Sequence, residues 1–336
     1  MYELLPVLES WLPDQLVMAT VVGTWGSSPR PVGSVLLVRA NGEMAGSVSG
    51  GCVENAVVKA ALQLLPTRTS RLLHFGISND EAWAVGLSCG GKLDVLVAPF
   101  PTGSCAEQLL EALRTNEGGV LLTRTDAMDA TQQLFLPASL CSEHPIAATA
   151  WGAQKSQLVE TPQGRWFVHI IPRKKRLLIV GAAHLAAELV RLAQWLDFET
   201  IVIDPRQVFM EKTYFSEAPS QLLRAWPAEV FDTLKPDPYT SAVLLSHDPK
   251  IDDQALHLLL RSEVGYIGAL GSRRTHESRV SRLREAGCTE AEIARIHAPV
   301  GLSIGAQGAR EIALSIIAEI IHHFNIRSQK GFTHHN

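Results

Sequence analysis

The sequence predicts an α/β protein in two parts, an N-terminal mixed α/β domain and a C-terminal Rossmann-like, doubly wound parallel-sheet domain. Three observations predict it. The chain has 336 residues, more than a single hydrophobic core usually accommodates. Its first half mixes period-two strand patterns with helical stripes. From Leu177 onward, continuous apolar runs alternate regularly with amphipathic segments, as in βαβ units whose strands are buried on both faces.

In the first part, Leu16 to Gly23, Gly33 to Arg39 and Glu43 to Ser49 read as strands, the last two joined by the hairpin turn Asn41-Gly42. A helix from Val53 to Leu65 follows, striped by Val53, Val57, Ala60, Ala61, Leu64 and Leu65. Arg71–Phe75 and Leu93–Ala98 read as strands and Ser104 to Arg114 as a helix. Gly119 to Arg124 and Arg165 to Ile170 are further strands, while residues 126–163 show little period. The expected division is a domain over residues 1–170, a solvated connector over 171–176 (Ile-Pro-Arg-Lys-Lys-Arg) and a domain over 177–330.

In the second part, strand Leu177–Val180, helix His184–Leu196 and strand Thr200–Asp204 make the first βαβ unit. Strand Ser241–Ser246, helix Ile251–Leu260, strand Gly265–Ala269 and helix Arg273–Ala286 continue it. The closing helix, Glu311 to Phe324, stripes Ile312, Ile316 and Ile320 beside Ala313 and Ile317, so it packs inward.

Composition narrows the function. The chain is 46% hydrophobic and 19% charged, with net charge -4, which gives no electrostatic footprint for nucleic acid. The five cysteines, at 52, 89, 105, 141 and 288, are odd in number, widely spaced and lack a CxxC pair. That pattern argues for a reducing compartment and against a zinc knuckle. Residues 1–15 carry acidic groups where a signal peptide has positive charge, and no uninterrupted apolar run reaches membrane-spanning length. The expectation is a cytoplasmic protein without a membrane partner, and a homodimer, the commonest soluble assembly.

Two cysteines carry the first candidate site. Gly50-Gly51-Cys52 and Cys89-Gly90-Gly91 each set a thiol beside a glycine pair. Cys52 is expected to open the helix that follows, where amide N–H groups and the dipole favour anions and thiolate. The alternative is a small buried hydrophobe behind a tight turn.

In the second part, Gly181-Ala182-Ala183-His184-Leu185-Ala186 is a degraded dinucleotide fingerprint, with Ala183 at the second glycine position. Asp204 stands where an acidic residue would hold a ribose, and Arg206 where a 2′-phosphate would be met. A nucleotide such as NAD(P) is one reading, and a relic turn is the other. Ser272 reads as an N-cap that puts Arg273 and Arg274 in the first helical turn, against the dipole. Either an anion or an ion pair of Arg274 with Glu277 offsets them. His247 and Asp248 suit a proton-transfer pair, and Asp248 equally suits a helix cap.

Taken in order, these segments resemble the XdhC/CoxI family of accessory proteins for molybdenum hydroxylases. The resemblance rests on Gly23–Gly33 (GTWGSSPRPVG), Gly46–Glu54 (GSVSGGCVE) and Gly86–Gly91 (GLSCGG). It continues in Val202–Arg206, Ser246–Pro249, Tyr266–Arg274, Ala298–Leu302 and Glu311–Ile316. It implies a maturation factor rather than a turnover enzyme. Such a factor binds the molybdenum cofactor (molybdopterin), supports its sulfuration beside a cysteine desulfurase, and inserts it into an apo molybdenum hydroxylase of xanthine dehydrogenase or aldehyde oxidoreductase type.

By resemblance, Cys52 and Cys89 lie near the metal, Gly50, Gly51, Gly90 and Gly91 shape their loops, and Ser27, Ser28 and Arg30 meet the phosphate or pterin. The residues of the second part read above, Gly181, Ala183, His184, Asp204, Arg206, His247, Asp248, Ser272, Arg273 and Arg274, make the candidate second-domain ligand set, and Ala183 departs from the family's usual glycine. The rival function is an NAD(P)-dependent oxidoreductase with Asp204 on the ribose; Ala183 and the lack of a Tyr-Lys or Ser-Tyr arrangement weigh against it.

Overall fold

The computed structural model describes residues 1–12, 14–27, 30–76, 91–126, 132–207 and 215–330. The chain divides into two compact units, Met1–Arg173 and Lys174–Asn336.

In the first unit, helix α1 (Leu5–Trp11) precedes strands β1 (Leu16–Trp25), β2 (Val35–Arg39), β3 (Met44–Gly46), β4 (Arg71–Phe75) and β5 (Lys92–Pro99). The five strands form one sheet in the order β3-β2-β1-β5-β4, with every pair antiparallel. Side chains alternate across a strand. Val17, Ala19 and Val21 therefore meet Val57, Ala61 and Leu64 of α2 (Glu54–Leu64) on one face. Leu16 and Met18 meet Leu109 and Leu113 of α3 (Ser104–Arg114) on the other.

A second antiparallel sheet is built from β6 (Gly119–Arg124), β7 (Gln133–Pro137), β8 (Gln157–Thr161) and β9 (Gly164–Ile171), in the order β7-β6-β9-β8. Its Leu121, Phe135 and Ile171 share the core with α3. Its opposite face, through Val120, Leu122 and Val168, is covered by Ala147 and Ala150 of α4 (Pro145–Ala153). The stretch 126–163 thus holds β7, α4 and β8. Helix α4, PIAATAWGA, is apolar nearly all round, so it offers no polar face from which a helical stripe stands out.

The expected strand Glu43–Ser49 is shorter than its apolar pattern. It stops at Gly46, whose φ is +88° and where a Cβ would lie 2.3 Å from the Val35 carbonyl oxygen. The chain turns there because only glycine permits that approach.

The second unit contains β10 (Arg176–Val180), α5 (His184–Trp195), β11 (Glu199–Ile203), β12 (Gln221–Leu223), α6 (Pro227–Leu234) and β13 (Thr240–Leu244). They are followed by α7 (Pro249–Leu260), β14 (Tyr266–Ala269), α8 (Arg273–Glu285), α9 (Glu290–Ile293), β15 (Ile296–His297) and α10 (Gly308–Lys330). The six strands run parallel in the order β12-β11-β10-β13-β14-β15. Helices α5 and α10 cover one face through Leu189, Val190, Ile316 and Ile320. Helices α7 and α8 cover the other through Leu256, Leu259 and Leu283. This is a doubly wound sheet.

β9 runs through Ile171 and β10 starts at Arg176, so residues 172–175 lie outside the strands, with the division between the units at Arg173/Lys174. The cations of this stretch are in use. The Arg173 Nε donates to the Glu117 carbonyl oxygen at 2.8 Å. Lys175 lies over the Phe324 ring at 5.0 Å, and burial lowers its pKa. Arg176 donates to the carbonyls of Leu234 and Lys235, the orphan acceptors at the end of α6.

Candidate functional site

The antiparallel order of the first sheet gathers three sequence-distant segments at one end. β1 ends there beside the start of β5, with Trp25 opposite Lys92, and β2 starts there beside the end of β3, with Leu36 opposite Gly46. The segments leaving that end are 26–33 after β1, Ser47–Val53 after β3, and the entry to β5 at Gly91. A register shift between Val21 and Gly23 bulges β1 just before its exit, a device that re-aims the residues that follow.

Gly91 is buried against the first of these segments. A Cβ on Gly91 would lie 2.3 Å from the Ser27 carbonyl oxygen, and one on Gly26 would lie 3.5 Å from the Gly91 Cα. Ser27 is exposed and Arg30 half-buried. Ser28, Cys89 and Gly90 lie outside the described residues.

Cys52 is half-buried and packs on the apolar cluster beneath α2. It does not open the helix. Val53 is the N-cap and α2 begins at Glu54. The anion cradle expected around Cys52 exists, but the chain fills it with its own carboxylate. The Glu54 side chain accepts hydrogen bonds from the N–H groups of Val48, Ser49 and Gly51 and from the hydroxyls of Ser47 and Ser49. The Ser49 Oγ accepts in turn from the N–H of Cys52 and Val53, each at 3.0 Å. Burial pushes the Glu54 carboxyl up; the hydroxyl and amide donors outweigh that and bring it to about 2. A carboxylate in the first helical turn also suits the dipole. The glycine loop is therefore pinned by hydrogen bonds to its own carboxylate, which stays charged, and Cys52 rides on it. Gly50 and Gly51 take φ of +78° and +118°, and Gly51 faces open space, so the backbone beside the thiol stays accessible.

Glu54, Ser47 and Ser49 were not singled out in the sequence. Their signal was present in a carboxylate placed at the start of a helix directly behind a glycine turn.

In the second unit the dinucleotide reading meets an occupied crevice. Asp204 is fully buried. Its carboxylate accepts from the Ala182 N–H at 2.8 Å, from the Arg206 N–H, and from the Arg206 guanidinium at 2.9 and 2.7 Å. Burial raises its pKa, but the guanidinium and amides outweigh burial and hold it below the ordinary range. Arg206 also reaches the Ser246 carbonyl oxygen at 3.3 Å, so it bridges the ends of β11 and β13. The ribose role expected of Asp204 and the phosphate role expected of Arg206 are both taken by this internal pair. Gly181 serves packing, since a Cβ there would lie 2.5 Å from the Ser246 nitrogen. Ala183 is the N-cap of α5 and His184 its exposed first residue.

The remaining candidates resolve toward structure. Asp248 caps α7, accepting from the Lys250 N–H at 2.9 Å, while His247 is exposed with φ +58°. Of the two readings of Asp248, the helix cap is the one its hydrogen bond makes. Ser272 caps α8 as expected, accepting from the Thr275 N–H; Arg273 and Arg274 are exposed. Buried beneath them, Arg279 donates to the Leu270 carbonyl and faces Asp252 at 3.8 Å. No sequence pattern marked that pair. Among the described residues no group of three or more His, Cys, Asp or Glu is placed to hold a metal ion, and no helix is long and apolar enough to cross a membrane.

A thiol-bearing glycine loop on an antiparallel sheet, joined in one chain to a doubly wound parallel sheet, defines a two-unit α/β protein. The model of the XdhC and CoxI family matches residues 13–76, and the XdhC Rossmann domain matches residues 177–320. Together they span more than half of the sequence, and the chain belongs to this family. It is 28% identical to a probable xanthine dehydrogenase subunit of Bacillus subtilis (strain 168), over 94% of this chain and 96% of that one. It is 27% identical to the molybdenum cofactor insertion chaperone PaoD of Escherichia coli (strain K12), over 90% of this chain and 82% of that one. A crystal structure of a xanthine dehydrogenase from Bacillus halodurans superposes with TM-score 0.76 at 29% identity, covering 97% of this chain and 96% of that one.

Proposed function

We propose that this protein binds the molybdenum cofactor in its N-terminal unit and hands it to an apo molybdenum hydroxylase. The observation that carries the reading is the shared sheet end, where the half-buried Cys52 loop after β3, Ser27 after β1 and Gly91 before β5 lie at the same end of one sheet. Thiolates are soft ligands suited to a molybdenum centre, and the Glu54 lock holds one of them in a fixed loop. That lock also decides against the glycine-loop amides as the phosphate seat, because they already bind a carboxylate. The relatives named above supply the cargo and the client: one is a molybdenum cofactor insertion chaperone and the other a probable xanthine dehydrogenase subunit.

In this reading Cys52 and Cys89 flank the metal, Ser27, Ser28 and Arg30 contact the pterin or its phosphate, and a cysteine desulfurase sulfurates the cargo before transfer to a hydroxylase of xanthine dehydrogenase or aldehyde oxidoreductase type. The working form is a cytoplasmic homodimer. The test is cofactor retention by the full chain after loading, read as molybdenum and pterin per protein. Cys52→Ser and Cys89→Ser are each expected to lower retention at least about tenfold, roughly 1.4 kcal/mol of binding. Equal retention in both variants and the parent, with client activation unchanged, removes the thiols from the site.

A further inference from the structure

A cavity of about 590 Å³ lies within the N-terminal unit, between the β1–β2 connection and the chain entering β8 and ending β9. Its walls include Arg30, Ser47, Lys155, Ser156, His169 and Glu3. The volume suits a small-molecule site. The sign of its charge follows from the walls. Arg30 and Lys155 are cationic, and among the described lining residues Glu3 alone is acidic. Burial pushes the His169 imidazole down to about 4, so it is neutral at pH 7. Its Nε2 lies 3.0 Å from the Gly33 carbonyl oxygen, which places the ring proton on that nitrogen. The Ser156 Oγ accepts from the Ile170 N–H at 2.9 Å, which leaves its own O–H to donate. A planar cationic fork, a point cation and a hydroxyl donor lining one space suit an oxyanion such as a phosphate monoester.

The cavity also borders the thiol loop. Ser47, a wall residue, donates to the Glu54 carboxylate at 2.7 Å and accepts from the Gly50 N–H at 2.8 Å. The same side chain thus belongs to the cavity and to the lock that positions Cys52.

We propose that this cavity is a phosphate-monoester site, with Arg30 and Lys155 as its charged contacts and Ser156 as a hydroxyl donor. The inference deepens the reading of this unit as a cofactor binder and rests on it for the identity of the ligand. It assigns the anionic end of the cargo to the cavity and leaves the metal end to the thiol loop. Lys155 and Ser156 come from the stretch in which the sequence showed little period.

The test separates the cavity from the larger reading. Inorganic phosphate is titrated against the full chain at constant ionic strength, with ³¹P line broadening as readout. The parent and a control, Lys59→Glu on the exposed face of α2, should broaden the signal saturably. Lys155→Glu should weaken binding roughly ten- to a hundredfold, the range of one charge-assisted contact; Arg30→Ala serves as the second variant. Lys155 is exposed, so its replacement leaves the fold in place, checked by circular dichroism. Absent phosphate binding in the parent, or unchanged binding in both variants, overturns the site. Molybdenum-cofactor retention is measured in parallel. Parent-level retention in Lys155→Glu removes the phosphate from this cavity while the cofactor reading stands. No retention by the parent ends the cofactor reading, and the phosphate titration still decides the cavity.

Discussion

At the scale of single residues, Glu54 is the group on which the thiol loop depends. It draws the Val48, Ser49 and Gly51 amides and two serine hydroxyls onto one carboxylate. Glu54→Gln replaces one acceptor oxygen with a donor facing donors, and is expected to destabilise the protein by about 1–3 kcal/mol. The pH dependence has a definite sign. A carboxyl held at about 2 in the folded state, against an ordinary value of 4.5, contributes stability that is complete above pH 4.5 and lost as the pH falls toward 2. Urea midpoints should therefore fall more steeply across that window in the parent than in Glu54→Gln. Parallel slopes would show that the carboxylate is not the titrating lock. The thiol was legible in the sequence because a cysteine beside two glycines stands out. The lock was not, because an acidic residue at a helix start is ordinary until its donors are seen.

At the scale of elements, the contact between the β1 exit and the β5 entry is steric. Gly91 is buried, and an added methyl would meet the Ser27 carbonyl at 2.3 Å. Gly91→Ala is expected to cost about 1–3 kcal/mol through backbone displacement and to lower cofactor retention by moving the Ser27 segment. Gly51→Ala makes the contrast. It meets no neighbour but must hold φ at +118°, so its effect is conformational strain within the loop. If Gly91→Ala unfolds at the parent's midpoint, the close approach does not constrain the site. Most elements were legible from period alone: β1, β2, α2 and α3 in the first unit, and β10, α5, β13 and α7 in the second. Helix α4 was not, because its alanine-rich sequence shows no polar face. Strand β15, two residues long, carries too little pattern to register.

At the scale of the whole molecule, the two units differ in architecture, one built on antiparallel sheets and the other on a parallel one. The C-terminal sheet has the topology of a dinucleotide-binding fold, yet its acidic residue is buried and paired. NAD and NADP titrated against the full chain are expected to show no saturable binding below about 1 mM, about -4 kcal/mol, because either nucleotide would have to displace Arg206 from Asp204 and Ser246. Saturable micromolar binding with substrate turnover would restore the oxidoreductase reading. The family resemblance carried the overall assignment correctly. It did not separate which of its marked residues contact a ligand from which hold the fold.

The sequence by itself determined the two-part α/β architecture, the parallel second sheet and the two thiol motifs, because period, run length and glycine placement act over short stretches of chain. The tertiary structure alone decided where charge is satisfied. It turned Glu54 inward onto the loop amides and locked Asp204 beneath Arg206. It also brought Lys155 to the cavity wall that Arg30 lines, across more than a hundred residues of chain. Hydrogen bonds and ion pairs join groups whose separation along the chain carries no local signature, so only the folded backbone reveals which anion each donor already holds.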